Sequence, residues 1–178
     1  MAESKIINGD CLDKLKTLDA ESVQCCVTSP PYWGLRDYGC AGQIGLESTP
    51  ESYVEKMVAV FREVRRVLKD DGTLWLNLGD SYAANGISGL DLQGATSTVG
   101  KANPRSHHKK KVPAGLKPKD LVGIPWRVAF ALQSDGWYLR QDIIWSKPNP
   151  MPESVTDRCT KSHEYIFLLT KSARYYYD

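Results

Sequence analysis

The spacing of apolar residues along the chain predicts alternating strands and helices. Short apolar runs bounded by turn residues are typical of buried strands. Five segments fit this description: 5–8, 22–27, 74–78, 138–145 and 164–170. Apolar residues that recur every three or four positions predict helices between these strands.

Three helices follow from this second pattern. The first begins after Asp10, whose side chain can cap it, and the second at the capping sequence 48–51, with Gly72 expected to mark its end. The third covers 124–133. The order of elements predicts a Rossmann-like α/β fold, in which a mostly parallel sheet carries an antiparallel hairpin at its edge.

Composition and charge bound the kind of protein without identifying it. With 178 residues, 42% hydrophobic and 25% charged, the chain is expected to form one domain over 1–178. The net charge of +2 does not by itself indicate a nucleic-acid partner. Five cysteines without a Cys-x-x-Cys spacing predict free thiols, a reducing compartment and no metal site. The polar N-terminus and the lack of an apolar stretch of about 18 residues predict no signal peptide, no membrane span and a cytoplasmic location.

The most informative segment is Thr28-Ser29-Pro30-Pro31-Tyr32, which directly follows the predicted strand 22–27. Two prolines end the strand, hold the backbone extended and remove two N–H donors, so the Pro30 carbonyl is expected to point outward. A hydroxyl, a stiff carbonyl and an aromatic ring therefore lie side by side at the carboxyl end of a strand. Open α/β sheets bind their ligands at that edge.

These groups suit a reaction at the exocyclic amine of a nucleobase, which is a poor nucleophile because its lone pair is delocalised into the ring. Ser29 Oγ and the Pro30 carbonyl can accept hydrogen bonds from the two N–H groups of the amine. These bonds would draw the nitrogen toward tetrahedral geometry and disperse the developing positive charge. A base in a duplex must first be flipped out, and Tyr32 is the candidate for stacking on it.

Ser-Pro-Pro-Tyr after a strand resembles the catalytic motif of the amino-methylating DNA methyltransferases, the cytosine-N4 and adenine-N6 family. The resemblance implies that Ser29, Pro30, Pro31 and Tyr32 are catalytic. It also implies the fold of S-adenosylmethionine-dependent methyltransferases, S-adenosylmethionine as the methyl donor and double-stranded DNA as the substrate. Members carry Asp, Asn or Ser before Pro-Pro-Tyr or Pro-Pro-Phe, and the hydroxyl form is more typical of the cytosine-N4 branch.

Two segments beside the motif extend the resemblance. Asn8-Gly9-Asp10-Cys11 resembles the acidic segment that contacts the adenine of S-adenosylmethionine, so Asp10 and Cys11, together with Thr28, are assigned to the cofactor. A plain helix cap stays open as the role of Asp10. The segment 76–80 resembles the strand beside the target base, which implies a base contact for Asp80, with a solvated turn as the alternative. Asp10, the motif and Asp80 are expected to meet at one edge of the sheet.

The later segment 142–150, followed by His163-Glu164, also resembles this family. Its Trp-x-Lys-Pro-x-Pro pattern implies a loop near the flipped nucleotide, where Trp145 could stack and Lys147 could reach a phosphate. Core packing is the alternative for Trp145. His163 has no Cys or His at ligand spacing, so no metal is expected there.

Residues 83–119 predict a long basic loop. No acidic residue occurs between Asp91 and Asp120, so the charge of this loop exceeds that of the whole chain. Such a loop predicts salt-dependent contacts to DNA phosphates, and Arg105 could also read a guanine edge; a solvated loop is the alternative. The cationic residues are Lys101, Arg105, Lys109, Lys110, Lys111, Lys117 and Lys119.

The glycine-rich cofactor loop of the family, Asp-Pro-Phe-x-Gly-x-Gly, has no counterpart in the sequence, because no two glycines are separated by a single residue. We therefore expect an incomplete methyltransferase fold, the N-terminal catalytic part of a longer enzyme, completed by a further C-terminal segment or by a second chain. Alone, such a chain should bind S-adenosylmethionine weakly or not at all.

The favoured hypothesis is methyl transfer from S-adenosylmethionine to cytosine N4 in DNA, as in restriction–modification systems. Adenine N6 remains open, because both targets present a ring amine. A hypothesis of another class is a non-catalytic DNA-binding fragment or partner subunit. A methylase of RNA or of a protein amide is a further alternative.

Overall fold

The computed structural model describes residues 4–83, 112 and 114–178. Three helices and four strands are assigned within these residues. In chain order they are α1 (Cys11–Lys16), β1 (Val23–Thr28), α2 (Pro50–Val67), β2 (Leu68–Leu78), α3 (Ile124–Ser134), β3 (Tyr138–Ser146) and β4 (His163–Thr170). None of the described helices is both long enough and apolar enough to cross a membrane.

The four strands form one mixed sheet in the order β1-β2-β4-β3. Strand β1 pairs in parallel with β2, whereas β4 runs antiparallel to both of its neighbours. Three strands therefore point in the same direction and β4 alone is reversed. This arrangement confirms the predicted α/β fold with its antiparallel hairpin, and it places the carboxyl ends of β1 and β2 side by side.

The core lies between one face of the sheet and the helices α2 and α3. Alternate residues of β2 are fully buried, as expected for a strand with one covered face, and they pack on apolar positions that recur along both helices. Burial of one such side chain contributes roughly 1.5–3 kcal/mol. The buried cluster includes Tyr53, Met57, Phe61, Leu74, Leu76, Leu78, Val128, Leu132, Phe167 and Leu169.

The predicted strand 5–8 is wrong, because no strand is assigned there. Its side chains are exposed, and Ile6 is 95% accessible to solvent. A strand requires a neighbour for its backbone hydrogen bonds, and β1 pairs only with β2 among the described residues. The apolar pair Ile6-Ile7 therefore has no described edge on which to form a ladder.

The predicted end of the second helix at Gly72 is also wrong. Helix α2 ends at Val67, and the backbone of Leu68 is already extended, with φ −69° and ψ 141°. Gly72 instead lies inside β2, where an added Cβ would stand 3.0 Å from the carbonyl oxygen of Gln24 in β1. This glycine therefore allows two strand backbones to approach closely.

The predicted loop 83–119 is described only at its ends. Tyr82 forms an isolated antiparallel bridge with Leu121, and the backbone N–H of Ala83 donates to the Asp120 carbonyl at 2.8 Å. These contacts bring the two ends of the segment together. The remainder of the prediction lies outside the described residues.

Candidate functional site

The Ser-Pro-Pro-Tyr motif lies at the carboxyl end of β1, where Thr28 pairs with Leu76 of β2. The buried Tyr53 of α2 donates its hydroxyl to the Pro31 carbonyl at 2.9 Å, which ties the diproline to the helix. No described residue donates a backbone hydrogen bond to the Pro30 carbonyl. The Pro31 carbonyl is thus held by the core, whereas the role of the Pro30 carbonyl as an acceptor for a ligand stays a prediction.

The hydroxyl of Tyr32 lies at the centre of a polar cluster. It contacts Asn77 Oδ1 at 2.6 Å and Glu164 Oε2 at 3.0 Å, and Ser29 Oγ donates to it at 3.2 Å. The Tyr32 ring rests on Gly79, where an added Cβ would stand 2.6 Å from Cε2. Partial burial, opposed by the Ser29 hydrogen bond and assisted by the Glu164 charge, raises the pKa of Tyr32 to about 12. The phenol is therefore neutral at physiological pH.

Glu164 connects this cluster to Lys147. The Lys147 ammonium forms an ion pair with the second oxygen of Glu164, and it also lies 5.7 Å from the centre of the Trp145 ring. Partial burial of Glu164 favours its neutral form, but hydrogen bonds from Lys147 and Tyr32 outweigh that effect and lower its pKa. Lys147 thus bonds within the protein, and its predicted phosphate contact stays a prediction.

Sequence reasoning assigned no role to Asn77, Glu164 or Tyr53. Asn77 is a polar residue between two buried leucines of β2, and that interruption of an apolar run is the signal that could have singled it out. Glu164 is the second residue of β4, before the apolar run begins, and carries no such signal. Their meeting with Tyr32 depends on strand pairing across 45 and 132 positions of sequence, which periodicity does not reveal.

Two cavities meet at Thr28 and Ser29. The first, here called the helix-side cavity, has a volume of about 450 Å³ and lies toward α1 and α2. Its lining includes Ile7, Cys11, Thr28, Ser29, Pro30 and Pro31, with Met57 and Phe61 of α2. Both the volume and the apolar walls are typical of a small-molecule site.

The second, here called the open-face cavity, has a volume of about 440 Å³ and lies on the other face of the sheet. Trp145 is 50% exposed beside it, so its alternative role in core packing is wrong. The cavity has two aromatic walls and one amide, a suitable lining for a flat polar ring. It is lined by Val27, Thr28, Ser29, Trp75, Asn77, Trp145 and Ile166.

The residues predicted for the cofactor divide into two groups. Cys11 and Thr28 line the helix-side cavity, and burial raises the pKa of the Cys11 thiol, which keeps it uncharged. Asp10 is not part of that lining. Its Oδ1 atom accepts the N–H groups of Leu12 at 3.0 Å and Asp13 at 3.2 Å, as the N-cap of α1. A cofactor contact by Asp10 remains a prediction.

Asp80 follows β2, as predicted, but its carboxylate bonds to the backbone of the next helix. Its Oδ1 atom accepts the N–H groups of Gly123 and Ile124, each at 3.0 Å, and that of Ser81 at 2.9 Å. Asp80 therefore caps α3 and is not the freely solvated turn residue of the alternative interpretation. A contact between Asp80 and a base remains untested.

The predicted DNA-binding residues Arg105, Lys109, Lys110 and Lys111 lie outside the described residues. Two further cations of the same segment are described, and both are exposed and paired with carboxylates. Lys119 pairs with Asp157 at 2.5 Å, and Lys117 approaches Asp120 at 4.0 Å. Over 4–83, 112 and 114–178, no group of three His, Cys, Asp or Glu side chains could hold a metal ion.

Comparison with known families gives a match over most of the chain. The family of DNA methylases that includes the N6- and N4-methyltransferases matches residues 23–178. The match begins at the first residue of β1 and includes the Ser-Pro-Pro-Tyr motif.

Individual relatives agree with the family match. The chain is 59% identical over 174 residues to the Type II methyltransferase M.SmaI of Serratia marcescens, covering 98% of this chain and 58% of the relative. It is 54% identical over 175 residues to the Type II methyltransferase M.Cfr9I of Citrobacter freundii, covering 97% and 56%. The chain thus spans little more than half the length of these relatives.

Solved structures show the same fold. The Thermus thermophilus protein TTHA0409, solved in complex with S-adenosyl-L-methionine, superposes with a TM-score of 0.61 at 22% identity, covering 96% of this chain and 54% of that one. The cytosine-N4-specific PvuII DNA methyltransferase superposes with a TM-score of 0.61 at 17% identity, covering 94% and 49%. At these identities the likeness concerns the fold.

Proposed function

Because the chain belongs to the DNA methylase family of N6- and N4-methyltransferases, we propose that it carries the catalytic site of an enzyme that methylates the exocyclic amine of a flipped base in double-stranded DNA. One observation carries the proposal: Ser29 lies between two cavities, next to a Pro30 carbonyl that accepts no described backbone hydrogen bond. Two hydrogen-bond acceptors, Ser29 Oγ and the Pro30 carbonyl, thus lie where a methyl donor and a base could meet.

In this mechanism the chain's residues prepare the amine. Ser29 Oγ and the Pro30 carbonyl accept its two N–H groups, which frees the nitrogen lone pair and disperses positive charge as the new bond forms. Tyr53 keeps the diproline rigid through the Pro31 carbonyl, so the acceptors are positioned before the base arrives. Trp145, half exposed at the open-face cavity, provides a surface for the flipped base.

The helix-side cavity fits the proposed cofactor. Its volume of about 450 Å³ and its apolar walls suit a nucleoside, and two residues assigned from the sequence, Cys11 and Thr28, line it. When bound there, S-adenosylmethionine supplies an electrophilic methyl group. The glycine-rich loop of the family has no counterpart in the sequence, so we propose that a further segment or a second chain completes this site.

Cytosine N4 is the proposed target. The serine before Pro-Pro-Tyr, which is more typical of the cytosine-N4 branch, supports this target. The relatives named Type II methyltransferases support a role in restriction–modification. Adenine N6 is the second candidate, because Ser29 and Pro30 would accept either ring amine equally well.

The test uses radiolabelled S-adenosylmethionine and mixed DNA duplexes with the protein that carries this chain, followed by digestion to nucleosides. We expect label in N4-methylcytosine, whereas label in N6-methyladenine would select the second candidate. No label together with salt-sensitive DNA binding would instead support a non-catalytic binding module.

Ser29→Ala should lower methyl transfer by about 100-fold or more, the usual scale for loss of a group that stabilises developing charge. Ser22→Ala is the matched control, because Ser22 is exposed and, among the described residues, its hydroxyl donates only to the nearby Asp19 carbonyl. Equal activity of the two variants would contradict a catalytic role for Ser29.

A further inference from the structure

We propose that Asn77, Glu164 and Lys147 act through Tyr32 to turn the Ser29 hydroxyl proton away from the substrate, so that Ser29 Oγ meets the amine purely as an acceptor. The inference rests on the proposed amine methylation and adds three positioning residues to it. Glu164 and Lys147 need not touch the base or the methyl donor, whereas Asn77 also lines the open-face cavity.

A serine at this position faces a chemical difficulty that an aspartate would not. Its hydroxyl carries one proton as well as two lone pairs, and a proton directed at the amine would compete for the nitrogen lone pair that must attack. The enzyme therefore benefits from a fixed partner for that proton. The only described hydrogen bond that Ser29 Oγ donates goes to the Tyr32 hydroxyl, at 3.2 Å.

Tyr32 can accept this proton only if its own proton points elsewhere. Asn77 Oδ1 at 2.6 Å and Glu164 Oε2 at 3.0 Å both compete for the Tyr32 proton as acceptors. The orientation of the Asn77 amide is set by its nitrogen, which donates to the Tyr165 carbonyl at 3.1 Å in the neighbouring strand β4. The amide oxygen must then face the phenol.

Lys147 fixes the direction of the hydrogen bond between Tyr32 and Glu164. A protonated Glu164 could donate to Tyr32 and reverse the chain of hydrogen bonds, whereas a carboxylate can only accept. The Lys147 ammonium bonds the opposite oxygen of the same carboxylate, whose side chain is only 18% exposed. The lowered pKa of Glu164 agrees with this arrangement. The donors therefore run in one direction, from Ser29 to Tyr32 to the two acceptors.

Tyr32→Phe separates this role from base stacking, because phenylalanine keeps the ring and removes only the oxygen. We expect the single-turnover rate of methyl transfer to fall about 10- to 100-fold, with KM for DNA and for S-adenosylmethionine changed less than about 2-fold. A rate within about 2-fold of the parent protein would overturn the proposal.

Glu164→Gln tests whether the carboxylate acts through Tyr32. The amide keeps the size of the side chain but can donate to the phenol oxygen, so we expect a loss of about 3- to 10-fold in the parent background. Added to Tyr32→Phe, the same change should cost less than about 2-fold, because the shared intermediary is gone. An equal loss in both backgrounds would overturn the proposal.

A second measurement needs no activity. In protein labelled with ¹³C at tyrosine Cζ, a slowly exchanging hydroxyl gives separate signals in mixed H₂O and D₂O. We expect this splitting for Tyr32, assigned with Tyr32→Phe, and its loss in the double variant Asn77→Ala, Glu164→Ala. Rapid exchange in the parent protein would overturn the inference. A retained splitting in a protein that transfers no methyl group would instead reject the proposed function alone.

Discussion

Tyr32 is held both by its hydroxyl and by its ring. The hydroxyl contacts three polar side chains, while the ring lies directly against the backbone of Gly79 at the end of β2. The φ of Gly79 is not in the left-handed region, so its backbone conformation does not require glycine. Glycine is required because the Tyr32 ring occupies the space that a Cβ would need. The position of the phenol thus depends on a residue that contributes no side chain.

Gly79→Ala should displace the Tyr32 ring, because the new methyl would stand 2.6 Å from Cε2. We expect a loss of stability of roughly 1–3 kcal/mol, measured by urea unfolding, and a fall of about 10-fold or more in methyl transfer. When Tyr32→Ala has already removed the ring, the added methyl should cost less than about 0.5 kcal/mol. The same cost in both backgrounds would contradict the proposed clash.

The Glu164 ion pair predicts a dependence of stability on pH. The folded-state pKa of Glu164 lies below its ordinary value of 4.5, so its contribution is present above pH 4.5 and is lost as pH falls through the folded-state pKa. The difference in unfolding free energy between the parent and Glu164→Gln should be constant from pH 7 to about 5.5 and shrink below 4.5. An increase of this free-energy difference below pH 4.5 would contradict a lowered pKa of Glu164.

Helix α3 begins with a cap that another element supplies. Its N-cap residue is Gly123, which has no side chain and a φ of 76°, so the first N–H groups of the helix need an external acceptor. Asp80, at the end of β2, provides it. One carboxylate therefore fixes the angle at which α3 leaves the sheet edge beside the site.

Asp80→Ala should destabilise the protein by about 1–2 kcal/mol, the usual cost of losing a helix cap, measured by denaturant unfolding. Asp19→Ala, at an exposed aspartate beyond the end of α1, serves as the control and should change stability by less than about 0.5 kcal/mol. Loss of activity without loss of stability would instead favour the base contact predicted from the sequence.

Elements whose apolar spacing reflects burial could be predicted from the sequence. The alternate leucines 74, 76 and 78 and the recurring apolar face of α2 mark positions that touch the core, and a strand and a helix include these positions. The errors arose where the pattern depends on something outside the segment. Ile6-Ile7 has the composition of a strand but no described neighbour, and Gly72 accommodates β1 and does not end α2.

The candidate site was predictable to the same extent. The motif around Ser29 is contiguous, so its position at the end of β1 followed from proline chemistry alone. Glu164 and Asn77 reach Tyr32 only because β4 pairs with β2 in one particular register, in which Asn77 lies opposite Ile166. A slip of β4 by one residue against β2 would place Glu164 and Asn77 on opposite faces of the sheet.

At the scale of the whole molecule, the described sheet has two unlike faces. The helices α2 and α3 cover one face, whereas the other exposes Val27, which is 78% accessible, and Trp145. The two described ends of the predicted basic loop, Ala83 and Lys119, contact each other just after the carboxyl end of β2. The proposed phosphate contacts and the proposed base chemistry would thus start from the same edge of the sheet.

The proposed DNA contact of the basic segment predicts a strong dependence on salt. A plot of log affinity against log salt concentration should fall less steeply when Lys109, Lys110 and Lys111 are replaced by alanine. The magnitude of its negative slope should decrease by up to about 2.7, at about 0.9 for each phosphate contact. Replacing Lys117 and Lys119 should change the slope less, because both already pair with carboxylates. Equal slopes for the parent and the triple variant would favour a solvated loop.

Ser29 borders two separate compartments, one toward the helices and one on the opposite side of the sheet. Two molecules can therefore arrive by different routes, and neither has to leave before the other enters. In the proposed reaction, the methyl group could then pass directly between the two bound molecules beside Ser29. No covalent intermediate with the protein would be required.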